Sequence, residues 1–375
     1  MMPREKRYLQ AFFALLRAGL WVKDARLSSL GRLDYSEVMR LAEEQSVVGL
    51  VTAGLERVAD VKVPKEELLQ FIGATLQIEE QNRTLNLFVA DLVEQLRKVG
   101  VYTLLVKGQG IAQCYERPLW RSSGDIDLFL SEDNYKKAKD YLLPLATSVE
   151  PEAISTKHLG MTIESQVVEL HGTMRSGVLS RIDKEVDEVQ GDVFYGGNVR
   201  SWMNGKTSVF LPAPDNDVVF VFTHILKHFF KSGIGLRQIC DWCRLLWVYK
   251  DSINHKLLER RIRKMGMMTE WKAFASLAVD VLGMPMDAMP FYEHNSRWKK
   301  KANRILIFIL DTGNFGQNRD LSYFSKKPYI IRKLISFWWH TRNGMQRFFL
   351  FPLDSVLVWL RVLTGGVSAV VRREG

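Results

Sequence analysis

The chain has 375 residues, more than one apolar core usually serves, so two or three structural units are expected. Hydrophobic residues at 47% and charged residues at 25% exclude a disordered or low-complexity polymer. A net charge of +10 points to an anionic partner (nucleotide, nucleic acid, phosphosugar or acidic membrane surface) without choosing among them.

In chain order, the basic N-terminus leads into LQAFFALLRAGLWV. Arg17 interrupts this run and no small-residue cleavage pattern follows, which predicts an amphipathic helix instead of a signal peptide. Residues 35–58 carry Val38, Leu41, Ala42, Val48 and Leu55 at helical spacing, with Asp34 as N-cap. A long helix over 65–99 follows and stops at Gly100. From Val101 the period changes. The pattern predicts a strand over 101–106, a helix over 109–117, a strand over 126–130 and a helix over 134–143. Further strands are expected over 148–156, 158–164, 167–171 and 209–211. Helices return from Asp217, first in the nearly all-apolar VVFVFTHILKHFFK, then over 236–249, 255–283 and 297–310. A turn at 313–316 precedes a basic, aromatic helical stretch over 326–373. Within it, 348–371 is apolar but broken by Pro352, Asp354, Arg361 and Gly365-Gly366, short of a membrane span. This order predicts an α+β fold: an N-terminal helical region over 1–99, a mixed-sheet catalytic domain over 100–215 and a C-terminal helical region over 216–375.

The stretch 104–130 carries the chemistry. On a strand Asp125 and Asp127 share one face while Ile126 and Leu128 take the other. Adjacent carboxylates repel and resist burial, so they make a poor core; a divalent cation neutralises both, and hard oxygen ligands suit Mg²⁺. Gly124 lets a ligand approach the backbone, and a helix start at Gly108 after Lys107 offers amides and charge to a phosphate. Two-metal phosphoryl chemistry needs a third carboxylate. Glu169 in VVELH is the candidate, sharing a strand face with His171 while Val168 and Leu170 face the core. Glu169 could also serve as a base toward a hydroxyl. His171 reads equally as a contact to the site or as a structural histidine.

Lys107-Gly108, the helix bearing Tyr115, Arg121, Gly124-Asp125-Ile126-Asp127 and Glu169-Leu170-His171 together resemble the DNA polymerase beta-like nucleotidyltransferase superfamily. The closer resemblance is to its uncharacterised bacterial nucleotidyltransferase family, to which LAEEQSVVGLV, GLRQICDW and TGNFG are also similar. The resemblance implies that Asp125, Asp127 and Glu169 hold two Mg²⁺, with Mn²⁺ as an alternative ion. An NTP, ATP included, is the expected donor, with Lys107, Gly108, Gln109, Arg121, Gly124 and Arg237 as its expected contacts. The acceptor is a hydroxyl on a protein, sugar, small molecule or RNA. One position departs from the superfamily: Gln109 stands where a serine or glycine usually follows the glycine, so backbone amides of 108–110 or Lys107 would replace a hydroxyl.

The remaining constellations have plainer readings. His224 and His228, at i and i+4, read as helix-packing residues, with lining of the cleft as the alternative. Arg237 and Asp241 read as a helix pair, with Lys227 or Arg237 reaching the triphosphate as the functional alternative. Cys114, Cys240 and Cys243 are too few for a disulfide framework and fit a reducing cytosol; the CxxC reads as two half-buried thiols. Trp338, Trp339, Arg342, Arg347, Phe348, Phe349, Trp359 and Arg361 read as a packed helical lid, with single-stranded nucleic acid or an anionic membrane as functional partners. The expected location is cytoplasmic, with membrane association through that segment as a variant. Two rivals stand beside the enzyme: a nucleotide-binding regulatory protein without turnover, and a membrane-peripheral enzyme of surface polysaccharide modification.

Overall fold

The computed structural model describes residues 4–314, 331 and 344–371. Of the expected C-terminal lid, Trp338, Trp339 and Arg342 lie outside the described residues, as do Phe315 and Gly316 of the expected turn.

Seven strands form one mixed sheet in the order β3-β4-β5-β2-β1-β7-β6. They are β1 (Leu104–Val106), β2 (Asp125–Phe129), β3 (Ser148–Val149), β4 (His158–Ile163), β5 (Gln166–His171), β6 (Val199–Asn204) and β7 (Thr207–Pro212). The α+β class is as expected. Within this sheet β2–β5 and β1–β7 pair in parallel, and the other described strand pairs are antiparallel.

Alternation along the central strands gives each face its own core. Leu105, Ile126, Leu128, Val168 and Leu170 point to a cluster closed by α4 (Lys65–Lys98) and α6 (Glu132–Leu142). Leu104, Val106 and Phe129 point the other way, into a larger cluster. That cluster combines α1 (Arg4–Trp21), α2 (Tyr35–Glu44) and α3 (Val48–Leu55) with α7 (Ser180–Tyr195), α8 (Pro214–Lys231), α9 (Leu236–Val248), α10 (His255–Lys264), α11 (Met268–Ser276) and α12 (Ser296–Thr312). Helices from both ends of the chain therefore cover the same sheet face. They are also stitched by hydrogen bonds: Trp21 Nε1 donates to the Leu282 carbonyl at 2.6 Å and Arg17 Nη1 to that of Val281 at 3.1 Å. The acceptors sit at the end of a widened π-turn, Leu277–Val281, that follows α11. α1 and α3 approach closely because a Cβ at Gly54 would lie 2.0 Å from the Leu15 carbonyl oxygen. No described helix is long and apolar enough to cross a membrane.

Several expected boundaries moved for identifiable reasons. The helix expected over 35–58 is two, because Ser46 adopts φ 55° and breaks the ladder between α2 and α3. Asp34 caps the first, accepting from the Glu37 amide. The helix expected over 109–117 is only α5, Gly108–Ala112; the Cys114 and Tyr115 amides then bond three residues back, tightening the chain before Pro118. The strand expected over 148–156 stops at Val149, two residues before Pro151, which has no ladder donor. The pair α7 and β6 was not anticipated at all. β6 is an edge strand with no buried residue, so its sequence lacks an apolar signature. The three cysteines are buried free thiols, so Cys240 and Cys243 are not the half-buried pair expected.

Candidate active site

The register of two parallel neighbours assembles the carboxylates. β2 and β5 pair so that Asp127 lies beside Glu169, and Asp125 follows on the same face. One carboxylate oxygen from each of Asp125, Asp127 and Glu169 lies within 4.8 Å of the others. That spacing and an all-oxygen donor set fit a hard divalent cation. The three sit on the wall of a cavity of about 330 Å³, a volume suited to a small molecule.

Lys107 enters the cavity from the end of β1. Its φ of 57° is uncommon for a side-chain-bearing residue and turns the chain from strand into α5. The turn brings Lys107 Nζ to 2.6 Å from Asp127 Oδ1. His171 Nε2 stands 2.7 Å from the same oxygen and 3.3 Å from Glu169 Oε2. His158 Nε2, on the neighbouring strand β4, stands 3.0 Å from Glu169 Oε2.

These contacts set the charges. Repulsion from Asp127, joined by burial, pushes the Asp125 carboxyl up. Burial pushes Asp127 the same way, but the Lys107 charge and His171 outweigh it and hold it below the usual range. Glu169 is treated alike: burial opposes ionisation, and hydrogen bonds from His158 and His171 override it, holding its carboxyl far down. A carboxylate so reluctant to take a proton suits cation binding better than general-base work. Across the cavity, burial and Lys107 lower the Lys227 ammonium, which forms no ion pair among the described residues. Burial likewise keeps His224 neutral, and His228 is pushed down to about 3.

The expected site residues separate into two groups. Lys107, Gly108, Arg121, Asp125, Asp127, Glu169 and Arg237 line the cavity; Gln109 and Gly124 do not. The Gln109 carboxamide turns to α4, donating to Asn86 Oδ1 at 2.7 Å and accepting from Ser123 Oγ at 2.7 Å. Its role in the structure is to tie the loop before β2 to that helix. Gly124 instead borders an open depression beside Gln77 and Glu80. Arg121 is committed as well: Nε and Nη2 reach the two oxygens of Asp241 at 2.9 and 2.7 Å, and Tyr115 Oη donates to Oδ1 at 2.7 Å. Asp241 thus fastens α9 to the segment that leads into β2. Arg237 Nη1 donates to the Ser122 carbonyl at 2.6 Å, reinforcing the same joint.

His224 and His228 line the cavity as well as packing, their rings 4.4 Å apart. His158 had not been singled out from the sequence. A signal existed: with a two-residue turn at Glu164-Ser165, counting back from Ile163↔Gln166 places His158 opposite His171. The turn residues concealed it, because both take positive φ (48° and 66°), where Asn-Gly is the usual marker.

A family model described as an uncharacterised nucleotidyltransferase matches residues 32–283, a span that contains every cavity residue named above. No curated protein and no solved structure matches the chain.

Proposed function

The chain belongs to an uncharacterised nucleotidyltransferase family, and on that premise we propose that it moves a nucleoside monophosphate from an NTP to an acceptor hydroxyl. The acceptor hydroxyl gives its proton to water as its oxygen bonds to the α-phosphorus, the bond from that phosphorus to the bridging oxygen breaks, and pyrophosphate leaves in line with the electron pair. Asp125, Asp127 and Glu169 would hold two Mg²⁺, or Mn²⁺ in their place, and ions bound there neutralise the polyphosphate and polarise the acceptor oxygen. The chain's own cations complete the charge balance. Lys107, Lys227 and Arg237 line the same cavity and suit the phosphate groups, while Arg121 holds the loop before β2 through Asp241. The catalytic unit is the stretch 100–215, with α1–α4 before it and α8–α12 after it packed around its sheet.

One observation carries this reading: the Asp127↔Glu169 register, which gathers three carboxylates on a cavity wall that also presents lysine and arginine. The test is pyrophosphate release by the full chain with Mg²⁺ and each NTP across a panel of protein, sugar, small-molecule and RNA hydroxyls. Release is expected for the wild type and not for Asp125→Asn or Asp127→Asn. Calorimetry with Mg²⁺ and NTP supplies the second arm; equal binding to the wild type and to an Asp125→Ala/Asp127→Ala variant sinks the assignment.

A further inference from the structure

We propose that His158, His171 and Glu169 form a cation position of their own beside the aspartate pair, one that takes a borderline transition-metal dication such as Zn²⁺ or Fe²⁺. The inference stands on the placement of the imidazoles and does not require the transfer reaction.

The position is built by a hairpin. His158 at the start of β4 lies directly opposite His171 at the end of β5, and Glu169 is two residues back on the same face. Their ligand atoms lie within 4.8 Å of one another. His158 Nε2 is 3.0 Å, and His171 Nε2 3.3 Å, from Glu169 Oε2. Ligand atoms bound at about 2.1 Å to one ion lie about 3.0 Å apart at right angles and about 3.4 Å apart in a tetrahedron. The two nitrogen–oxygen separations fall in the range of ligands sharing an ion.

The donor set then selects the metal. Two imidazoles and one carboxylate suit zinc and iron, whereas Mg²⁺ prefers oxygen alone. The cavity is also rich in this donor: His158, His171, His224 and His228, four of the chain's seven histidines, line it. Three protein ligands on one wall leave coordination positions toward the cavity, as in a site that binds a substrate oxygen. Glu169 belongs to both sets, so this position borders the one built on the aspartate pair and shares a residue with it.

The hydrogen-bonded alternative predicts no metal–nitrogen bonds, and X-ray absorption separates the two. The tag-free full chain is stripped with a chelator and loaded with one equivalent of Zn²⁺, without nucleotide. The expected spectrum shows scattering from two imidazoles. His158→Ala and His158→Gln should each reduce this to one and weaken Zn²⁺ binding at least about tenfold, since even an outer partner of a metal ligand is worth 10–100-fold. Asp125→Asn, which alters the aspartate pair but not this set, should keep both imidazoles. An oxygen-only shell in the wild type overturns the proposal, as does a shell and affinity unchanged in both His158 variants. Mg²⁺-dependent pyrophosphate release is measured separately, so an oxygen-only shell with intact release removes this site and leaves the transfer reading standing.

Discussion

Replacing Asp241 by alanine removes the carboxylate that joins α9 to the approach of β2, and its cost can be worked from the contacts. Arg121 is 7% exposed, and its guanidinium makes a two-point pair with Asp241 at 2.9 and 2.7 Å. Breaking a buried pair from one side strands the other charge, at about 3–5 kcal/mol. The Tyr115 hydroxyl loses its acceptor in the same step, and because both donors share one carboxylate the losses do not add independently. We therefore expect Asp241→Ala to lose about 3–5 kcal/mol in urea unfolding followed by circular dichroism. An Arg121→Met/Asp241→Leu variant should lose less than half as much, since exchanging both partners for apolar side chains strands no charge. NTP affinity should fall in the single variant as well, because the loosened segment leads directly into Asp125. A cost for Asp241→Ala below about 1 kcal/mol, or a double variant as damaged as Asp241→Ala itself, refutes the reasoning.

Two further outcomes follow from the fold. Burial, with Asp354 adjacent, pushes the Glu270 carboxyl up to about 8 from an ordinary 4.5. The folded chain then keeps a proton that the unfolded chain has released, so this group's contribution to stability falls as pH rises from about 4.5 to about 8. Urea midpoints at pH 5 and pH 8 should show a steeper decline for the wild type than for Glu270→Gln; parallel declines would contradict it. In the β4–β5 turn, Glu164 and Ser165 both hold positive φ, which costs about 1–2 kcal/mol per side-chain-bearing residue. Changing them to Asn-Gly should raise stability by about 1 kcal/mol or more without moving the register of Asp127 and Glu169, and a loss of stability would show that these side chains are needed where they are.

The carboxylates were legible because the reason for their placement is local. A strand alternates, so Asp125, Asp127 and Glu169 had to face away from Ile126, Leu128, Val168 and Leu170, whose burial in the α4–α6 core is visible in their sequence. The α+β order was legible for the same cause: periods of 2 and 3.6 alternate through the middle of the chain. What could not be read was long-range pairing between polar groups. Nothing in the spacing of Arg121 and Asp241 announces a bidentate pair, and the i, i+4 relation of Arg237 and Asp241 suggested another partner. Gln109 looked like a damaged phosphate loop until Asn86 and Ser123 showed its amide in use. α7 was missed differently: Ile182, Val186, Val189 and Val193 do follow a helical rhythm, diluted by acidic residues that include the buried Glu185. His158 depended on a turn whose residues do not advertise it.

The clasp between α1 and the π-turn has a consequence for synthesis. Trp21 and its acceptor Leu282 are separated by 261 residues. At about 5–20 residues per second, the ribosome needs roughly 13 to 50 s to supply the second half of that bond after the first. All three carboxylates are in place once β5 is made, whereas Lys227 and Arg237 arrive more than fifty residues later with α8 and α9. A nascent chain thus carries an unroofed acidic sheet face with Lys107 as its one cavity lysine, and a divalent ion met at that stage would supply the counter-charge that Lys227 and Arg237 bring later.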